Sequence, residues 1–273
     1  MTTNILAGRL IIFDLDGTLY EDTAHFDYYA SLLKENLPLE KRDDFARTYR
    51  QILAGNHPLT IGKVYDVNRD AILSLDPATL EVQSVCDWDG APWSQNRIHQ
   101  TYSGSLTLDF DQIVAIGDGW WIPFAVAKHF GAGETYPFYV KTKEYLAAHE
   151  HLLTRTPGLK AWLQEQRQAK TLVLVTNSDQ DDVQRLLSRL HLDGLFHQIV
   201  TSARKPTHTS RIFQNLLRQH QVSPEETISI GDNYINEIAP ALQLGMKAIL
   251  LQNSPFTHRH ERLQVVRSMS DLF

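Results

Sequence analysis

The chain has 273 residues, enough at about 150 residues per domain for two domains, each with its own core. Acidic residues outnumber basic ones by 32 to 26, a net charge of −6, which argues against a general nucleic-acid binder that would concentrate Lys and Arg against phosphates. With 42% hydrophobic residues, a single cysteine (Cys86), no apolar run near the roughly 18 residues of a membrane span and no apolar leader, the expectation is a globular cytoplasmic protein without a membrane or disulfides.

In chain order, Leu10 to Phe13 reads as a short buried strand that ends at Asp14. Ala24 to Asn36 and Asp43 to Ala54 carry helical periodicity, while Leu80 to Val85 and Leu106 to Ile116 alternate as strands do, with turns at Gly90, Gly104 and Gly117–Gly119. Thr156-Pro157 supplies an N-cap and a first-turn proline for a helix through Leu159 to Gln166. From Thr171 onward, apolar runs alternate with amphipathic stretches. Thr171 to Val175, Gln198 to Thr201, Thr227 to Ile230 and Met246 to Leu251 read as strands; Asp179 to Leu190, Ser210 to His220 and Ile235 to Leu244 read as helices, the last stopped by Gly245. That alternation implies a parallel sheet covered on both faces, a Rossmann-like three-layer α/β/α core. The rhythm is lost between, so the simplest architecture is a core of residues 1–19 plus 154–273, interrupted by an inserted, mostly helical or mixed α+β domain of residues 20–153.

Asp14-Leu15-Asp16-Gly17-Thr18 stands where the first strand runs into a glycine turn. Two carboxylates at i and i+2 there converge on the crevice where open α/β sheets bind ligands. One can serve as nucleophile or metal ligand while the other handles a proton. Alone, the pattern also fits a solvated Asp-Gly turn. Three later segments supply the context, each after a strand or at a helix start: Thr176-Asn177-Ser178, Lys205-Pro206 and Gly231-Asp232-Asn233. With all four in this order, the sequence resembles the haloacid dehalogenase (HAD)-like hydrolase superfamily, whose motifs are an Asp pair, a Ser or Thr, a Lys, and a Gly-Asp followed by a further acid. The resemblance covers residues 1–19 and 154–273.

The resemblance implies a phosphatase-type enzyme that hydrolyses a small phosphorylated metabolite through an aspartyl-phosphate. Asp14 would be the nucleophile, Asp16 would protonate the leaving oxygen and later deprotonate water, and Lys205 would offset charge. Thr176, through its hydroxyl, and the Asn177 backbone amide would hold phosphoryl oxygens beside Lys205. The implied metal ligands are the Asp14 carboxylate, the Asp16 carbonyl and Asp232. These oxygen ligands suit Mg²⁺, and the crowding of carboxylates beside a phosphate itself calls for a cation. Asn236-Glu237 departs from the more usual Asp, so Glu237 is expected behind the ligands, through water or as a clamp on Lys205. Dehalogenating and phosphonate-cleaving members generally lack the second Asp, so Asp16 points to phosphate esters. A sugar-phosphate mutase of the same superfamily and a non-catalytic phosphometabolite-binding module are the alternatives. The insertion resembles a cap domain that carries specificity.

The remaining candidates carry two readings each. Glu21, Asp22 and His25 follow the first motif and line either a substrate entrance or a hinge. Trp120-Trp121 with Phe124 and Phe130 either stack on a substrate or fill the insertion's core. Asp87-Trp88-Asp89-Gly90 and Gly117-Asp118-Gly119 repeat the motifs but fit turns in the insertion, and Asp109 with Asp111 fits the outward face of a strand. Arg97, Lys141 and Lys143 read as solvent-facing, and Cys86 as an apolar filler. The pairs His149/His151 and His258/His260 are spaced to point apart on a helix.

Overall fold

The computed structural model describes residues 5–22, 24–76, 79–149, 153–252 and 259–273. The chain divides into two compact units, Met1–Asp22 with Leu153–Phe273, and Thr23–Leu152. In chain order the described strands and α-helices begin with β1 (Leu10–Phe13), α1 (Ala24–Glu35), α2 (Arg42–Leu53), β2 (Val64–Asp66), β3 (Ala71–Leu75), β4 (Val82–Asp87), α3 (Gln95–Thr101) and β5 (Ile113–Ala115). They continue with α4 (Trp121–His129), α5 (Tyr136–Ala148), α6 (Leu159–Ala169), β6 (Thr171–Val175), α7 (Gln180–Leu190), β7 (Gln198–Val200), α8 (Thr209–His220) and β8 (Thr227–Gly231). A π-helical turn over Tyr234–Ile238 then leads into α9 (Ala239–Gln243), β9 (Lys247–Leu251) and β10 (Leu263–Val266). None of these helices is long and apolar enough to cross a membrane.

All four residues of β1 are buried, and a strand with no solvated face belongs in the middle of a sheet covered on both sides. It pairs in parallel with β6 on one side and β8 on the other. The full order is β10-β9-β8-β1-β6-β7, with every pairing parallel. From β1 the chain builds outward through β6 and β7, then returns to the other side of β1 for β8, β9 and β10. That reversal leaves a crevice at the carboxyl ends of β1, β6 and β8, where doubly wound sheets hold ligands. The core around it is apolar and continuous, joining Ile11, Phe13 and Leu15 to Trp162 on α6 and to Val183, Leu186 and Leu190 on α7. The Rossmann-like α/β core expected from the sequence is therefore present.

The second unit has its own antiparallel sheet, β4-β3-β2-β5, and its own core, in which α1, α2 and α4 bury Tyr29, Leu33, Phe45, Ile52, Phe124 and Val126. It is thus of the mixed α+β kind.

Several local expectations change. The first unit keeps residues 20–22 and begins again at 153, since Tyr20 is sealed in its core and Leu153 packs on it. Helix α6 is capped by Gly158 at φ +85°, not by Thr156, whose backbone carbonyl accepts from Leu159 N–H instead. The strand expected from Leu106 shrinks to Ile113–Ala115, because Asp109 Oδ1 gathers the amides of Asp111, Gln112 and Ile113 into a loop. Asp109 therefore sits in that loop and not on a strand face. Strands β2 and β3, not expected from the sequence, flank a tight turn in which buried Asp66 accepts from Arg69 and from the Tyr102 hydroxyl.

The helix expected over Ile235 to Leu244 starts instead as the π turn, in which Ala239 N–H reaches back five residues to the Tyr234 carbonyl. Pro240 has no N–H to give the Asn236 carbonyl, which removes one α-helical bond at this point. Gly245 follows the helix at φ +81°, the conformation expected of a residue that ends it.

Candidate active site

The crevice is built by three strand ends. Strand β1 delivers Asp14 and Asp16, β6 delivers Thr176 to Ser178, and β8 delivers Asp232 and Asn233. Gly17 turns the first of these loops at φ +74°, and a Cβ placed there would lie on the Asp232 carboxylate. Glycine is required twice over, by conformation and by space. Gly17→Ala is expected to destabilise the protein by about 1–3 kcal/mol and to displace Asp232, read as a lower denaturation midpoint together with lost activity.

Lys205 is the centre of charge. Its side chain is 2% exposed, and Nζ donates to Asp14 Oδ1 at 2.6 Å and to Glu237 Oε1 at 2.6 Å. The other Glu237 oxygen accepts from the Asn233 amide at 3.1 Å, and Ser229 on β8 donates to the Glu237 carbonyl. The π turn thus aims Glu237 inward onto Lys205. Burial pushes the Asp14 carboxyl up from its ordinary value, Lys205 pulls it back, and the Asp16 charge adds to the rise. Burial alone would lower Lys205, but the Asp14 and Glu237 carboxylates outweigh it and hold the ammonium above its usual range. Asp14, Asp232 and Glu237 each offer an oxygen within 4.8 Å of the others, an all-oxygen set that could hold a metal ion.

The lysine is held by its backbone as well. The Asn177 side chain accepts from Lys205 N–H at 2.7 Å and donates to the Lys205 carbonyl at 3.1 Å. Ser202 and Arg204, both at positive φ, form the loop before it, tied to the end of β6 by Ser202 N–H to the Ser178 carbonyl and Ala203 N–H to the Thr176 carbonyl. Thr176 is fully buried and its hydroxyl accepts from Ser178 N–H at 3.1 Å. Among the described residues, the Asn177 backbone N–H has no protein acceptor.

Sequence reasoning missed the two hydroxyls on Asp16. Ser178 Oγ donates to Asp16 Oδ2 at 2.9 Å, and the Tyr20 hydroxyl donates to Asp16 Oδ1. Burial, and then the Asp16 charge, push the Tyr20 phenol well above its ordinary value, so it remains a donor. The motif around Thr176 was a signal for Ser178. Tyr20 carried none, because an aromatic after Leu19 reads as core.

The other candidates fall elsewhere. Glu21 accepts from the Ser268 hydroxyl at 2.8 Å and the Met269 amide at 3.0 Å, and Asp22 accepts from the Thr154 amide at 2.6 Å. These carboxylates tie their own unit together where the chain leaves and re-enters it. His25 is buried in the second unit against Phe26 and Trp120, an aromatic cluster joined by Tyr29 and Tyr139. Asp87 to Gly90 forms a hairpin turn with Trp93 Nε1 on the Asp87 carboxylate, and Asp118 accepts from the Trp120 amide ahead of α4. The Arg97 guanidinium lies 3.3 Å from the centre of the Trp93 ring. Asn236 is buried and its amide is capped by Asn233 Oδ1. Of the histidine pairs, His149 Nδ1 meets the Tyr145 carbonyl and His260 Nδ1 accepts from Arg262 N–H, while His151 and His258 lie outside the described residues.

A parallel sheet with buried carboxylates and a lysine at its switch point is the plan of a Rossmann-like α/β enzyme that works at the carboxyl edge of its strands. A family profile for haloacid dehalogenase-like hydrolases matches residues 9–245, and the chain belongs to that family. Among solved structures it is similar to a haloacid dehalogenase-like hydrolase from Bacteroides fragilis, at 13% identity and a TM-score of 0.55, covering 97% of this chain and 100% of the other. It is also similar to the magnesium-bound HAD-hydrolase YfnB from Bacillus subtilis, at 18% identity and a TM-score of 0.53 with 97% of each chain covered. A haloacid dehalogenase-like family hydrolase from Xanthomonas campestris is similar at 13% identity and a TM-score of 0.51, covering 97% and 89%. At these identities the likeness is one of fold. No curated protein matches the chain.

Proposed function

We propose that this hydrolase is a Mg²⁺-dependent phosphatase that cleaves a small phosphorylated metabolite through an aspartyl-phosphate on Asp14. The observation that carries the reading is Lys205 Nζ, buried at 2.6 Å from both Asp14 and Glu237, with the oxygen of Asp232 completing an acidic cluster. A fixed ammonium beside a nucleophilic carboxylate suits transfer of an anionic group, and here it also restrains the carboxylate's rotation. In the first half-reaction an Asp14 oxygen bonds to phosphorus, the bond from phosphorus to the leaving oxygen breaks, and Asp16 gives that oxygen a proton. In the second, Asp16 takes a proton from water, whose oxygen bonds to phosphorus as the Asp14–phosphorus bond breaks. The buried Thr176 hydroxyl and the Asn177 N–H are the donors for the phosphoryl oxygens, joined by Lys205. The carboxyl groups of Asp14, Asp232 and Glu237 cluster where Asp14 and Glu237 share one ammonium, an all-oxygen donor set that fits a hard divalent cation, which Asp14, Asp232 and the Asp16 carbonyl would hold. When bound, Mg²⁺ supplies the positive charge that a dianionic phosphate needs beside these carboxylates. In this reading the inserted unit carries specificity for the leaving group, and Asp16 separates the enzyme from carbon–halogen cleavage, where no alkoxide requires a proton.

The test is phosphate release from a panel of small phosphomonoesters. Release is expected with Mg²⁺, is expected to be lost with EDTA, and should return when Mg²⁺ is added back. Isomerisation of a hexose phosphate that outpaces phosphate release would replace this reading with a mutase. Tight binding across the panel without any turnover would replace it with a binding module.

A further inference from the structure

We infer that Tyr20 is a positioning residue for Asp16, fixing, together with Ser178, the direction in which the Asp16 carboxyl faces the leaving oxygen. The inference rests on the phosphatase reading and adds to it a residue outside the four motifs. An aspartate in a loop turns about two side-chain bonds, and here both freedoms are removed by donors from two separate elements. Tyr20 reaches Oδ1 from the loop after β1, and Ser178 reaches Oδ2 at 2.9 Å from the end of β6. Neither donor is itself free to wander. Tyr20 is 1% exposed, packed in the cluster that includes Leu15, Leu19 and Leu159, and its backbone bridges to Asp16. Ser178 is buried and its amide is tied to the Thr176 hydroxyl.

Packing does not explain the phenol oxygen, since phenylalanine would fill the same space. What the hydroxyl adds is the angle of the carboxylate. Misplacing a reacting group by about 1 Å can cost on the order of a hundredfold in rate.

The experiment compares Tyr20→Phe with wild type on phenyl phosphate, whose leaving oxygen needs a proton, and on 2,4-dinitrophenyl phosphate, whose leaving oxygen does not. The readout is kcat/KM, which reports the steps through departure of the leaving group. Tyr20→Phe is expected to lower kcat/KM by about tenfold to a hundredfold on phenyl phosphate and by less than about threefold on the dinitrophenyl ester. Ser178→Ala is expected to show the same selective loss and Ser178→Thr, which keeps the hydroxyl, to recover it. This pair answers the question if Tyr20→Phe does not fold. Equal losses on both esters, or none on either, would overturn the positioning role. If Asp16→Asn shows the selective loss while the Tyr20 and Ser178 variants do not, the phosphatase reading stands and this inference alone is wrong. If wild type hydrolyses neither ester, both fall together.

Discussion

Asp14→Asn is expected to lower phosphate release by at least about a thousandfold, equivalent to roughly 4 kcal/mol of transition-state stabilisation, while the protein stays folded. The loss follows from the chemistry of the first half-reaction. A carboxamide keeps the size of the side chain but offers a poor nucleophile to phosphorus, and the remaining donors can bind substrate without an acceptor for the phosphoryl group. The fold should survive because burial already disfavours the Asp14 charge, and Lys205 keeps its second partner, Glu237. Both parts are checked together by steady-state assay and thermal melting. An active Asp14→Asn enzyme, with activity lost instead in Asp87→Asn, would move the site to the lookalike turn in the second unit.

Lys205→Met should have the largest effect on stability, about 3–5 kcal/mol, because it strips the counter-charge from two buried carboxylates. For a chain of this size that corresponds to a fall in Tm on the order of 10 °C. The pH dependence has a definite sign. In wild type the folded Lys205 titrates above its ordinary 10.5, so its contribution is complete below that value and is lost only as the pH rises through the higher folded one. The contribution is therefore fully present at neutral pH. In the variant the Asp14 carboxyl loses the group that pulls its pKa down, and burial then raises it further. A carboxyl raised in the folded state favours folding at lower pH, so the stability gap between variant and wild type should narrow as the pH falls from neutral. Denaturant midpoints at several pH values measure this, and a gap that widens on acidification would contradict the arrangement of charges around Lys205.

These residues were legible to different depths. Asp14 and Thr176 each follow a short run of buried, mostly apolar residues and Asp232 follows the buried strand β8, and a polar residue ending such a strand at the carboxyl edge of a parallel sheet is a pattern carried by local sequence alone. Gly245 was legible for the same local reason. The inserted unit was harder to read because β2 has only three residues, too few for alternation to register, and because Asp109 draws three amides into a loop where alternation suggested a strand. Glu21 and Asp22 follow the first motif directly, while the partners of their carboxylates lie more than a hundred residues away, at Ser268, Met269 and Thr154, and could not be read from local sequence.

The sequence by itself determined the α/β class, the order of the four motifs and the side chains available for chemistry, since each is encoded in a few adjacent residues. Only the tertiary structure decided which of those side chains meet. Lys205 stands 191 positions from Asp14 and 32 from Glu237, and Tyr20 is an ordinary core aromatic until Asp16 folds back onto its hydroxyl. The cause is physical. A strand's apolar pattern records that it is buried but not which strand lies beside it, and it was the placing of β1 between β6 and β8 that gathered these charges into one crevice.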